Sequence, residues 1–177
     1  MTDKFKVKYS EYKQKFNLKC FLLEALLLIV ILTLDLVTKH YMAKFLIGKS
    51  SYPFINGFMD FVFVKNYGAS FGILNGKTVL LTVVVIVSLI LLVALWVYLR
   101  EQNAAIRLSL VFLIAGGIGN LVDRIAFGYV RDFLHFTFFD FPVFNVADSF
   151  VVIGSFMLAI ALIVSIIIEA KNKGKNE

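Results

Sequence analysis

Residues 116–149 read GGIGNLVDRIAFGYVRDFLHFTFFDFPVFNVADS. Four of the chain's seven aspartates lie here, Asp123, Asp132, Asp140 and Asp148, between two strongly apolar runs. A carboxylate at membrane depth costs about 2.5–3.5 kcal/mol on insertion scales. Acids kept at that cost, with Asn120, Asn145 and Arg124 among them, point to chemistry at a membrane face. Two carboxylates working as a pair would account for them.

The composition supports the membrane setting. The 177 residues are 60% apolar, which marks an integral membrane protein and leaves no room for a separate soluble domain. A net charge of +6 raises the question of nucleic acid. That class is rejected because the lysines cluster in tails that flank apolar runs, where the positive-inside rule expects them. The single cysteine, Cys20, excludes an internal disulfide and a Cys-rich metal site. It reads as a buried or interfacial thiol, since Asn17-Leu18-Lys19 does not look like a lipidation signal. No cleavable leader is expected, because the first apolar run starts late and lacks a small-residue exit site.

The expected fold is mainly α, an integral membrane protein with four transmembrane helices, a small extracytoplasmic β element and an interfacial aromatic loop. Residues 1–19 carry six lysines and read as a basic cytoplasmic tail that sets orientation or lies on anionic lipid. Spans are expected at 20–42, 79–99, 104–123 and 143–168. In the first, Glu24 sits near the cytoplasmic end, where it can snorkel, and Asp35 and Lys39 share a helical face in the favourable acid-first order. An outer β region fills 44–77, where Phe58–Val64 is rich in β-formers and Asn66-Tyr67-Gly68 is a turn signal. The third span is interrupted by Gly116, Gly117 and Gly119, which permit close helix approach. Its Asn120, Asp123 and Arg124 fall on one face. Residues 125–142 read as an outer aromatic loop that dips into the interface, and 169–177 as a second cytoplasmic tail. Both termini then lie in the cytoplasm; the three cytoplasmic segments hold eleven of the eighteen lysines and arginines.

Among catalytic schemes, serine–histidine hydrolysis is weak: His40 and His135 are the only histidines, and no serine sits on a nucleophile elbow. Zinc is weaker, with no His-x-x-x-His pair. Paired carboxylates remain. One ionised acid takes a proton from water while its protonated partner donates to the carbonyl oxygen of a peptide. Asp148, at the head of the fourth span with Asn145 on its face, is one candidate. Its partner is Asp132 or Asp123. Asp123 beside Arg124 also reads as a structural salt bridge, and Asp132 in an aromatic loop would have a raised pKa; spacing favours Asp132 slightly. Asp140 reads as an exposed loop acid. A small proton-coupled transporter would also keep intramembrane acids, and a non-catalytic scaffold would use them to pair helices.

Five stretches in order resemble the lipoprotein signal peptidase family, signal peptidase II. They are Asp35-Leu36-Val37-Thr38-Lys39, Asn66-Tyr67-Gly68-Ala69-Ser70-Phe71, Gly119-Asn120-Leu121-Val122-Asp123-Arg124, Gly128-Tyr129-Val130-Arg131-Asp132-Phe133 and Phe144-Asn145-Val146-Ala147-Asp148-Ser149. Two departures are mild: Ser70 replaces an alanine, and Arg131 stands where an apolar residue is commoner. Arg131 would lower the pKa of Asp132. The resemblance implies a membrane aspartyl endopeptidase that removes signal peptides from prolipoproteins, cutting before a diacylglyceryl-modified cysteine. It places the catalytic pair on Asp132 and Asp148. It gives supporting or substrate-binding roles to Asp35, Lys39, Asn66, Gly68, Ala69, Phe71, Gly119, Asn120, Asp123, Arg124, Asn145 and Ala147. It implies no metal or cofactor, membrane lipids around a monomer, and inhibition by the cyclic peptide globomycin. The location would be the bacterial cytoplasmic membrane, with the site near the outer leaflet.

Overall fold

The structure is a computed structural model that describes residues 18–69, 74, 76–99 and 103–173. The tail before Leu18, Phe71 of the turn motif, and Arg100 and Glu101 lie outside the described residues. Four helices are each long and apolar enough to cross a membrane: α1 (Leu18–Phe45), α2 (Thr78–Tyr98), α3 (Ala104–Phe127) and α4 (Val146–Lys173). At 1.5 Å per residue, the 21 residues of α2 reach about 32 Å, the thickness of a hydrocarbon core. Many aliphatic side chains on these helices face outward; Val79, Leu91 and Ile163 are all more than half exposed. Lipid is the solvent such a surface fits.

α3 is the central helix. Leu110, Val111, Ile114 and Ala115 are at most 1% exposed, and α1, α2 and α4 all pack against α3. Its start is capped by Asn103, whose side chain accepts from the Ile106 N–H at 3.1 Å. Its end is set by Gly128 at φ 79°, a left-handed turn that a side chain would strain. That turn sends the chain directly into a strand. β1 (Tyr52–Ile55), β2 (Met59–Asn66) and β3 (Val130–Phe136) form one antiparallel sheet in that order. Val64 stands opposite Asp132 and Asn66 opposite Val130. Phe144 exchanges backbone hydrogen bonds with Leu134 at 2.8 and 2.9 Å just before α4 begins. The sheet therefore positions the head of α4.

Several expectations change. α3 continues to Phe127, and the stretch 125–142 is not all loop, because it contains β3. Val130, Leu134 and Phe136 pair with Asn66, Phe61 and Met59 of β2, as β-forming side chains favour. The glycines do not interrupt α3, since a helix in lipid must keep its own backbone bonds. Glu24 does not snorkel. It is 7% exposed and accepts from Trp96 Nε1 of α2 at 3.0 Å and Arg107 Nε of α3 at 2.7 Å. A desolvated carboxylate with two donors at hand has no reason to reach for water.

Candidate active site

The site grows from the first turn of α4. Asn145 caps this helix: its Oδ1 accepts from the Asp148 N–H at 2.9 Å. Asp148 Oδ2 accepts in return from the Asn145 N–H at 3.1 Å. The reciprocal pair is a capping box with Asp148 in the third position. It fixes the Asp148 carboxylate at a helix N-terminus, where negative charge is favoured.

The strand supplies the second carboxylate. Asp132 on β3 is 1% exposed. Its Oδ1 accepts from Asn145 Nδ2 at 2.6 Å and its Oδ2 from Asn66 Nδ2 at 2.9 Å. Asn145 thus donates to both acids. Asn66 is held by a turn of its own, its Oδ1 accepting from the Gly68 N–H at 2.9 Å. Burial pushes the Asp132 carboxyl up to about 7; the nearby charge of Asp148 adds to that, and the bonds from Asn66 and Asn145 hold it back.

Behind the pair lies a buried polar network. Asn120 of α3 donates from Nδ2 to Asp148 Oδ1 at 2.7 Å, and its Oδ1 accepts from Asn145 Nδ2 at 3.1 Å and Lys39 Nζ at 2.9 Å. Lys39 pairs with Asp35 Oδ2 at 2.8 Å and lies 3.8 Å from Asp123 Oδ2. Asp35 Oδ1 accepts from the Ala147 N–H at 2.9 Å, which ties α1 to the head of α4. Lys39, Asp35 and Asp123 are fully buried. Gly119 makes the packing feasible, because a Cβ there would overlap Asp35 Oδ2 and lie 3.2 Å from Ala147 Cβ.

Arg131 does not act on Asp132. Neighbours on a strand point to opposite faces, and Arg131 turns to Asp123, with Nη2–Oδ1 at 2.7 Å. Asp123 is also not the partner of Arg124. Arg124 Nη2 donates instead to the Gly68 carbonyl at 3.1 Å, and its Nε is buried with no hydrogen-bond partner among the described residues. Asp140 is exposed.

A cavity of about 660 Å³ opens beside the pair. Its polar end is formed by Asp148, Asn120, Arg124 and Asn66. Its apolar wall runs between α2, α3 and α4 past Leu89, Leu92 and Leu113, and Phe136, Phe141 and Phe144 line it as well. Of the residues singled out by sequence, Ala69 also lines it, Asp132 is buried and is not among its lining residues, and Phe71 lies outside the described residues. The α2 contribution, Ser88 and Leu89 included, was missed. The signal for it was Ser88, which with Thr82 interrupts an otherwise apolar run. Gly116 was read only as a packing glycine; a Cβ there would lie 2.5 Å from the Ala147 carbonyl oxygen.

Comparison with known proteins agrees with this architecture. The signal peptidase (SPase) II family profile matches residues 27–164. A lipoprotein signal peptidase of Caldanaerobacter subterraneus is 43% identical over 130 residues, covering 73% of this chain and 88% of its own. One from Clostridium novyi is 38% identical over 144 residues, covering 80% of this chain and 97% of its own. Among solved structures, a bacterial membrane enzyme determined in meso at 2.3 Å superposes with a TM-score of 0.70. It is 32% identical, and the match covers 79% of this chain and 87% of that one. With the profile spanning most of the chain and relatives this similar along nearly their whole length, the chain belongs to the signal peptidase II family.

Proposed function

We propose that this protein is an aspartyl endopeptidase that removes the signal peptide of a prolipoprotein, cutting before a cysteine that carries diacylglyceryl. The observation that carries the reading is the bridge made by Asn145, which holds Asp132 and Asp148 together at the polar end of an apolar cavity. Two close carboxylates cannot both ionise cheaply, so the pair holds one proton. The charges around it agree: Asp35, Asp123, Asp132 and Asp148 face Lys39, Arg124 and Arg131, and one retained proton makes the group neutral. A dyad in this state can activate water with one oxygen and protonate a peptide carbonyl with another.

The surroundings suit a lipid-bearing peptide. The aliphatic wall between α2 and α4 would receive the apolar part of the substrate from the bilayer, and Phe136, Phe141 and Phe144 would exclude water from the cavity. Arg124 Nε, a buried donor without a partner, would bind a substrate carbonyl. In the free enzyme the Asn66 amide occupies Asp132 Oδ2, and the scissile carbonyl takes its place there. The site would face the outer leaflet of the bacterial cytoplasmic membrane, with both termini in the cytoplasm. The enzyme would act as a monomer without a metal or cofactor, and globomycin would compete for the cavity.

The test is cleavage of a diacylglyceryl-modified prolipoprotein by purified enzyme in detergent. Asp132→Asn and Asp148→Asn should melt as wild type does and lose turnover. Folded Asp132→Asn that still cleaves, alongside folded Asp123→Asn that does not, would move the partner to Asp123. Wild-type enzyme that cuts nothing would sink the peptidase reading and favour a proton-coupled carrier.

A further inference from the structure

The three amides around the acid pair are oriented by groups that can only donate. Lys39 Nζ has donors and no acceptor, so the Asn120 oxygen must face it at 2.9 Å. The Asn120 NH2 therefore points to Asp148 Oδ1 at 2.7 Å. The Asp148 N–H holds Asn145 Oδ1 in the same way, which turns Nδ2 towards Asp132. The Gly68 N–H holds Asn66 Oδ1 and turns its Nδ2 towards the other oxygen of Asp132. No member of this set can flip without placing a donor against a donor.

Each acid thus receives two N–H donors, but their backing differs. Asp132 is held by amides whose oxygens rest on neutral backbone N–H groups. Asp148 is held by a helix-terminal N–H and by an amide whose oxygen rests on the ammonium of Lys39. A cation in contact with an amide oxygen polarises the N–H on its far side. The anionic form gains more at Asp148 than at Asp132.

We propose that Lys39, acting through Asn120, is a positioning residue that makes Asp148 the ionised member of the pair and leaves the shared proton on Asp132. The proposal rests on the dyad reading above and deepens it. Asp148 then takes a proton from water as the water oxygen bonds to the scissile carbonyl carbon, while Asp132 gives its proton to the carbonyl oxygen. On collapse the C–N bond breaks and Asp148 passes its proton to the leaving nitrogen. Asp132 recovers a proton from one hydroxyl of the tetrahedral intermediate, and the pair ends as it began.

The pH profile of kcat/KM reads the free enzyme. The charged groups set around Asp148 are Lys39 and Asp35 from α1, Arg124 and Asp123 from α3, and Asp132 from β3. Lys39→Met should move the acid limb to higher pH by about one unit, with the alkaline limb following by less. Lys39→Arg keeps a cationic donor and should return the limb towards wild type. Asn120→Ser keeps the Lys39–Asp35 pair and should move the acid limb in the same direction, which serves if Lys39→Met does not melt cooperatively. Asn66→Ser acts on Asp132 and should raise the alkaline limb alone. An acid limb unmoved in both Lys39→Met and Asn120→Ser, or one that moves instead in Asn66→Ser, overturns the assignment. If Asp132→Asn or Asp148→Asn still cleaves, the dyad reading falls with it; if both are dead and only the limb pattern fails, the role of Lys39 alone is lost.

Discussion

Asn145 and Asp148 cap the same helix reciprocally, each side chain accepting from the other's backbone N–H at 2.9 and 3.1 Å. Asn145 has a second task, since its Nδ2 reaches Asp132 Oδ1 at 2.6 Å. The two tasks separate by substitution. Asn145→Ser keeps a cap oxygen and loses the amide donor, so its stability loss should stay within about 1 kcal/mol. Its turnover should still fall at least about tenfold, as expected when a buried acceptor loses its donor. Asn145→Ala loses both and should melt lower than Asn145→Ser with similarly poor turnover. Thermal melts and initial rates on the same preparations check this; equal melts for the two variants would remove the cap from the argument.

In the proposed mechanism Asp132 sets an alkaline limit. Burial pushes its carboxyl up to about 7 from the ordinary 3.8, so the proton it would donate is present below that pH and lost above it. Cleavage should decline as pH rises through about 7. Stability follows the same sign: between about 4 and about 7 the native chain keeps a proton that the unfolded chain has released, so stability falls as pH rises through that window. Melting temperature against pH should show this fall in wild type and less of it in Asp132→Asn.

Arg124 carries a buried Nε with no partner among the described residues, at the polar end of the cavity. Arg124→Lys keeps a charge but loses the planar fork. The expected result is a loss of about ten- to a hundredfold in kcat/KM, with little change in melting. Unaltered kcat/KM would mean that the substrate does not use this donor.

At the far end of the bundle, Glu24, Trp96 and Arg107 join α1, α2 and α3. Removing one partner of a desolvated pair takes a charge-assisted bond from the other. Glu24→Ala should cost about 2–3 kcal/mol, somewhat less than a fully buried pair because Arg107 is partly exposed. Glu24→Leu combined with Arg107→Met should recover part of the loss. Cleavage measured below the melting transition should stay near wild type, because the network touches no residue of the acid pair. A double variant less stable than Glu24→Ala would contradict this account.

Much of the plan is legible in the amino-acid order. Uncharged runs of helical length specify membrane helices because lipid admits few other backbone forms. The β-formers before Asn66 and the Asn66–Gly68 turn signal a sheet, and Asn145 three residues ahead of Asp148 is the spacing of a helix cap. Acids stranded among apolar residues mark where chemistry is kept at a cost. Partnership is another matter. Asp123 sits next to Arg124 in sequence yet pairs with Arg131 and Lys39, and Arg131 sits next to Asp132 yet faces away from it. Glu24 was read as able to reach water and instead joins three helices. Each outcome depends on which residues from distant helices and strands meet at a buried point. There a charge must find a partner or a proton, and only tertiary packing decides which one is within reach.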